Sequence, residues 1–204
     1  MSKEVKRLVP ELRFAEFEKP LCLKYLGEIL DFKNGINADK SRYGSGRKFI
    51  NVLDIINDAP IYHNSIIGSV EITAKEFENS NVKYGDILFQ RSSEIREEAG
   101  QSNIYLDNNH EVTFGGFVIR GRPKVSFNPI YFNYLLKTSA IRKEITSRSG
   151  GSTRFNVGQN SLSQVPILIC ESAEEQEKIA SFLDSIAQRI TQLRRKHELL
   201  SRST

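Results

Sequence analysis

The sequence is poor in several features, and each shortage excludes a class of protein. Its 204 residues include only two cysteines, Cys22 and Cys170, too far apart for a disulfide framework or a thiolate metal motif to be predicted. No apolar run approaches the roughly 20 residues that a membrane helix requires. The charged start, residues 1–7, has no apolar stretch behind it as a secretory signal would. We therefore expect a cytoplasmic protein with reduced thiols and no membrane contact.

What the sequence does contain is ordinary for a globular chain. Hydrophobic residues make up 39% and charged residues 26%, so a packed core is expected. Lysine and arginine outnumber aspartate and glutamate by 29 to 25, which gives a net charge of +4. This excess permits a polyanionic partner without requiring one.

The chain divides into three stretches: a charged lead-in (1–20), a long mixed segment (21–170), and a C-terminal stretch (171–204) without glycine or proline. Short strands are predicted at 48–52, 86–90, 112–114, 117–120 and 165–170. Helices are predicted at 130–137 and 141–148, the first opened by Asn128-Pro129. Strands and helices do not alternate regularly, so the fold class is α+β with a mixed sheet.

The C-terminal stretch predicts one long helix. Ser172 to Glu175 has the pattern of a capping box, and about 30 helical residues would extend for about 45 Å. Spacings of four and three alternate along a heptad seam, as in a coiled coil. The seam consists of Ile179, Leu183, Ile186, Ile190, Leu193, His197 and Leu200. We expect a projecting helix that pairs with another helix; the alternative is an amphipathic helix packed on its own domain.

No catalytic site is predicted. Asn128 to Tyr131 is similar to the Asn-Pro-Pro-Tyr loop of adenine methyltransferases, but it lacks the second proline and reads better as a helix start. Asp86 and Glu94 lack the lysine that a nuclease site would need, and the three histidines are scattered. We therefore expect a protein that is not an enzyme and holds no metal or cofactor itself.

Basic and polar segments instead indicate duplex DNA. Lysines grip phosphates, whereas arginine, glutamine and asparagine can form paired hydrogen bonds with base edges. Four segments, read as loops or strand ends, carry such side chains without a strong acidic balance. The candidate DNA-binding residues are Lys40, Arg42, Tyr43, Arg47, Lys48, Gln90, Arg91, Ser92, Arg120, Arg122, Arg148, Ser152, Thr153, Arg154 and Asn156.

Several motifs together resemble the specificity (S) subunit of type I restriction–modification enzymes. Val9-Pro10-Glu11-Leu12-Arg13-Phe14 is similar to the family's Pro-Glu-Leu-Arg-Phe start. Segments 49–55 and 84–89 resemble its strand motifs, and 149–156 its Gly-Ser/Thr loop. Segment 175–184 resembles the Glu-Gln-x-x-Ile-Ala start of its conserved helix. The resemblance runs from about Val9 to Leu200.

The resemblance implies a function. Residues 21–170 would be a DNA target-recognition domain that reads one half of a bipartite target, and 171–204 a conserved spacer and dimerisation helix. Methyltransferase (M) subunits would dock on the S subunit, and restriction (R) subunits would join indirectly. S-adenosylmethionine, ATP and Mg²⁺ would be bound by those partners only.

The chain has one recognition domain where a full S subunit has two. Three explanations stay open: a natural half subunit that forms a homodimer, a truncated gene product, or an engineered fragment. A rival function also stays open, in which a truncated half binds M or S subunits through its helix and regulates them without reading DNA.

Overall fold

The structure is a computed structural model that describes residue 10 and residues 12–201. The predictions for residues 1–9, 11 and 202–204 lie outside the described residues. The described part is a mixed α+β fold that ends in a long helix, as predicted. The division of the chain at residues 20 and 170 stays a prediction.

Eleven strands and seven α-helices are assigned among the described residues. The strands are β1 (Cys22–Tyr25), β2 (Leu30–Asn34), β3 (Tyr43–Ile50), β4 (Ser69–Val70), β5 (Ile87–Gln90), β6 (Ser92–Ser93), β7 (Ser102–Ile104), β8 (Thr113–Phe114), β9 (Val118–Pro123), β10 (Phe155–Asn156) and β11 (Pro166–Ile169). The helices are α1 (Leu26–Ile29), α2 (Val52–Ile55), α3 (Ala74–Ser80), α4 (Pro129–Leu136), α5 (Ser139–Ser147), α6 (Gln159–Ser163) and α7 (Ala173–Ser201).

A four-stranded antiparallel sheet in the order β2-β9-β5-β7 forms the centre. A second sheet, β4-β3-β8, contains one parallel pair, and β6 with β10 forms a two-stranded ribbon. The first strand, β1, pairs antiparallel with the last, β11. The two ends of the domain therefore meet.

Both faces of the central sheet are covered. Side chains alternate between the faces of a strand, so Ile87 and Phe89 of β5 enter one hydrophobic cluster and Leu88 enters the other. The first cluster includes Phe132 of α4 and residues of α5, α6 and α7. The second cluster includes Phe114 and joins the central sheet to the β4-β3-β8 sheet. Neither face of the central sheet is left free to bind a ligand.

The helix starts follow the sequence signals. Asn128 caps α4 because its side chain accepts a hydrogen bond from the amide of Tyr131 at 2.9 Å, with Pro129 in the first turn. Ser172 caps α7 by accepting from the amide of Glu175 at 3.2 Å. The Glu175 carboxylate does not close the predicted capping box; it binds Arg13.

Helix α7 contains 29 residues, about 43 Å at 1.5 Å per residue. Its first turns dock on the domain, where the Gln176 side chain donates to the carbonyl of Cys170 at 2.8 Å and accepts from the amide of Asn128 at 2.7 Å. From Gln188 to Ser201 every residue is exposed. The far half of α7 thus has little contact with the domain.

Candidate nucleic-acid interface

The first predicted DNA-binding group lies largely on β3, so the interpretation of this segment as a loop is wrong. Gly44 and Gly46 have φ values of 107° and 88°, a region that favours glycine. They allow the strand to bulge where Tyr43 and Arg47 both face Val70. The result is an exposed, irregular strand.

Three cations of this group differ in how they are held. The guanidinium of Arg47 lies 3.7 Å above the ring of Phe77 and makes no described ion pair. The ammonium of Lys48 donates to the carbonyl of Ile66 at 2.6 Å. Lys40 is exposed at the start of a short 3-10 turn, without a described ion pair. Lys40 and Arg47 therefore keep donors available.

Arg42 is held within the domain. Its guanidinium donates to both carboxylate oxygens of Glu76, at 3.0 and 2.7 Å, and to the carbonyl of Glu71 at 2.8 Å. This paired contact lowers the pKa of Glu76 to about 2. The Tyr43 hydroxyl accepts from the amide of Ala38 at 3.3 Å. Arg42 thus connects the 3-10 turn before β3 to α3.

Arg120 and Arg122 lie inside β9, which continues beyond residue 120, where the predicted strand ends. Arg120 is only 4% exposed and donates to the backbone carbonyl of Asn81. Arg122 binds both oxygens of the buried Asp86 carboxylate, at 3.0 and 2.7 Å. Since these guanidinium groups satisfy internal acceptors, we leave both residues out of the proposed DNA interface.

The segment after α5 is a turn closed by a bridge between Gly150 and Asn156. Arg148, at its start, folds back on Glu144 through the carboxylate and the carbonyl. Ser152 and Thr153 are exposed in the turn. Arg148 is therefore held by Glu144 at the end of α5, whereas the hydroxyls of Ser152 and Thr153 are accessible to solvent.

The β6–β10 ribbon brings the other predicted residues together. Ser92 pairs with Asn156, and the Ser92 hydroxyl donates to the Asn156 side chain. Gln90 is 5% exposed, and its side-chain nitrogen donates to the carbonyl of Ser92 at 3.0 Å. Arg91 makes one long hydrogen bond, 3.3 Å, to the carbonyl of Gly116.

Two cavities adjoin this ribbon. One, of about 430 Å³, includes Gln90, Ser92, Phe117 and Arg154 among its lining residues. The other, of about 490 Å³, is lined by Asn34, Arg91, Asn156, Val157, Gly158, Gln159 and Asn160. The structure thus groups five predicted residues at one edge, separate in the sheet order from those on β3.

Four side chains at this edge were not predicted from the sequence to bind DNA: Asn34, Phe117, Gln159 and Asn160. Phe117 is 62% exposed, unusual for a phenylalanine of a packed domain. Each stands at the end of a short element, where a single sequence offers no signal. Only the pairing of distant strands places them beside Arg91.

The seam of α7 is exposed along most of its length. Ile179 and Leu183 are half-buried near the domain, and His197 is exposed. The exposed fractions of Ile186, Ile190, Leu193 and Leu200 are 42%, 44%, 52% and 62%. Such a continuous apolar stripe on one helix is a surface that a partner would cover.

The base of α7 joins the lead-in segment. Arg13 donates to the two oxygens of Glu175 at 2.6 and 2.8 Å, and both side chains are almost fully buried in the pair. Phe14 packs edge-on against Phe182, with ring centres 5.8 Å apart. Two motifs at opposite ends of the chain, the Pro-Glu-Leu-Arg-Phe and Glu-Gln segments, thus form one junction.

Metal clusters and membrane spans were searched for in the part of the chain that the structure describes. No group of three or more histidine, cysteine or carboxylate side chains could hold a metal ion within residues 12–201. The rings of His63 and His110 stack 4.3 Å apart, with Asp107 beside His110. Within the described range, no helix is long and apolar enough to cross a membrane.

Comparisons with known proteins bear on the family and the fold of the chain. The family model of the type I restriction modification DNA specificity domain matches residues 22–201. A search of the curated proteins finds no match.

Solved structures share the fold. The HsdS subunit of Thermoanaerobacter tengcongensis matches with a TM-score of 0.62 and 20% identity over 92% of this chain and 42% of its own. The type I S subunit of M. genitalium matches with a TM-score of 0.59 and 14% identity over 90% and 43%. A chain from a study of assembly and conformational transition of the type I R-M system matches with a TM-score of 0.64 and 20% identity over 89% and 42%.

The chain spans about two fifths of the length of these solved chains. The family model covers nearly all of the described residues, from the first strand to the end of α7. The chain therefore belongs to the family of type I restriction–modification DNA specificity domains.

Proposed function

We propose that this chain is a non-catalytic recognition subunit that reads one half of a bipartite DNA target. The observation that carries the proposal is the β6–β10 edge, where exposed Arg154 lies near Phe117 and half-buried Arg91 lies near exposed Asn156. A two-stranded ribbon fits the major groove, where arginine and amide side chains distinguish bases. The available cations Arg47, on β3, and Lys40, in the 3-10 turn before β3, would contact phosphates.

The other half of the target requires a second recognition domain. Because the apolar seam of α7 is exposed, we propose that a second copy supplies it, pairing through this seam. A two-fold pair of identical halves reads a palindromic bipartite site, since protein symmetry is mirrored in the half-sites. The length of α7 would set the unread gap.

Methyltransferase subunits would dock at α7 and its junction with the domain. These subunits would supply S-adenosylmethionine and the methyl transfer, and restriction subunits would add ATP- and Mg²⁺-dependent steps. The chain itself would hold no cofactor. The exposed seam would also serve the rival function, a half subunit that binds M or S subunits without reading DNA.

The test is a genome-wide map of adenine methylation in cells that carry the cognate M subunit, with and without this gene. We expect a new bipartite motif, palindromic if identical halves pair. No new motif, with M still co-purifying, would contradict DNA reading and favour the regulatory half.

A further inference from the structure

The cavity of about 490 Å³ beside the ribbon, which we call the amide cavity, is unusually rich in side chains that read bases. Four of its seven lining residues carry side-chain amides, one is an arginine, and none is acidic. The lining residues are Asn34, Arg91, Asn156, Val157, Gly158, Gln159 and Asn160. Without a carboxylate, the cavity has nothing to repel the phosphates of DNA.

Backbone hydrogen bonds fix the position of this cavity. The amide of Gly35 donates to the carbonyl of Val118 at 3.3 Å, and the amide of Arg91 donates to the carbonyl of Phe117 at 2.8 Å. The amide of Val157 then donates to the carbonyl of Arg91 at 2.9 Å. The ends of β2 and β9, the β5–β6 link and β10 are thereby joined, which is the rigid support that a specific site needs.

Three of the four amides are engaged within the protein. Asn156 accepts from the Ser92 hydroxyl and donates to the carbonyl of Arg154 at 3.0 Å. The surroundings of Gln159 orient its amide so that the nitrogen donates to the carbonyl of Phe32 at 3.0 Å and the oxygen accepts from Asn34 at 3.2 Å. These amides shape the wall of the cavity.

Two side chains remain available. Asn160 is exposed and its amide makes no hydrogen bond with any residue that the structure describes. Arg91 has five N–H donors and uses one, in the 3.3 Å bond to Gly116. It has no ion pair within the described residues, unlike Arg42, Arg122 and Arg148.

We infer that the amide cavity is a purine-reading site, in which Arg91 binds a guanine and Asn160 an adenine of the same half-site. Arginine matches the O6 and N7 acceptors of guanine, and an asparagine amide matches the N6 donor and N7 acceptor of adenine. Gln159 and Asn34 are positioning residues. The inference rests on the proposed function, because it names the bases that one part of the interface reads.

The test selects binding sites for the full chain, with its M subunit, from a random duplex library. Arg91→Lys keeps the charge and loses the forked geometry, and Asn160→Ala removes the free amide. Matched controls are Arg148→Lys, at an arginine whose guanidinium is held by Glu144, and Asn108→Ala in an exposed turn. Circular dichroism melting of each variant checks that it folds like the wild type.

We expect each variant to lose discrimination at one base pair, a G·C for Arg91→Lys and an A·T for Asn160→Ala, by roughly 5- to 150-fold. The controls should keep the wild-type motif. An unchanged motif in both variants, or weaker binding to all sequences alike, would overturn the inference and leave the proposed function standing. If the wild type itself selects no motif, the proposed function fails and the inference fails with it.

Discussion

At the scale of single residues, the arginines of this domain differ in the groups that their guanidinium groups bind. Arg42, Arg122 and Arg148 bind carboxylates, and buried Arg120 binds the carbonyl of Asn81. Arg91 makes one weak contact with a carbonyl. These arginines look alike in the sequence, because the acids that pair with some of them lie 34 to 36 positions away or one helical turn away. Burial and pairing, which depend on the whole fold, decide which can meet DNA.

The buried group around Asp86 predicts a large stability effect. Asp86→Ala would leave Arg120 buried without its nearest carboxylate and remove the paired contact to Arg122. We expect the free energy of unfolding to fall by about 3–5 kcal/mol, as when one partner of a buried ion pair is removed. Urea unfolding followed by circular dichroism measures this change.

The control is Glu94→Ala, which removes an exposed pair to Arg154 at 3.6 Å. Exposed pairs contribute under about 1 kcal/mol, so this variant should unfold almost as the wild type does. Equal losses in the two variants would contradict a structural role for Asp86.

At the scale of elements, the sequence predicted what local chemistry determines. The Asn128-Pro129 start of α4, the Ser172 cap of α7 and the hydrophobic β5 all lie where expected. The prediction of a loop at Gly44–Lys48 was wrong, because this glycine-rich stretch, which normally indicates a loop, is paired with β4 across a bulge. The two-residue strands β6 and β10 were not predicted at all, since two residues have no periodicity and only tertiary pairing defines them.

The seam of α7 predicts how this element behaves in solution. Ile186→Glu places a charge in the middle of the exposed apolar stripe and should abolish self-association, because a desolvated carboxylate would face the partner helix. Light scattering coupled to size-exclusion chromatography measures the molar mass. The melting temperature of the domain should stay within a few degrees of the wild type.

Ser185→Glu is the matched control, since it adds the same charge to α7 outside the seam. It should leave the molar mass unchanged. If the wild-type chain is monomeric at every concentration tested, the proposal that two copies pair through α7 is contradicted.

At the scale of the whole molecule, the fold is closed where its two ends meet. Strand β1 pairs with β11, and Arg13 pairs with Glu175 beneath α7. The segments that contain Arg13 and Glu175 are both part of the family resemblance, but nothing in their composition indicates that they are in contact. The contact arises because the sheet brings the ends of the chain together.

Breaking this junction should loosen the helix without unfolding the domain. Glu175→Ala leaves Arg13 without its carboxylate, so we expect faster amide hydrogen exchange in the first turns of α7. Exchange in the central strand β5 should change little. Mass spectrometry of peptides covering 173–183 and 86–90 distinguishes the two regions.

Glu16→Ala provides the comparison, because it removes the more exposed pair with Lys178 at the same junction. Its effect on exchange in α7 should be smaller than that of Glu175→Ala. Equal exchange in both variants and the wild type would show that the Arg13–Glu175 pair does not hold the helix.

The pairing of the two ends also bears on biosynthesis. Arg13 and Glu175 are 162 positions apart, so the junction cannot form until Glu175 has left the ribosome. At a translation rate of about 5–20 residues per second, Arg13 is synthesised about 8–30 s before Glu175. During that time the backbone edge of β1 has no β11 to pair with, and Leu26 and Ile29 of α1 lack the later members of their hydrophobic cluster. Nascent chains of this protein should therefore be clients for chaperones.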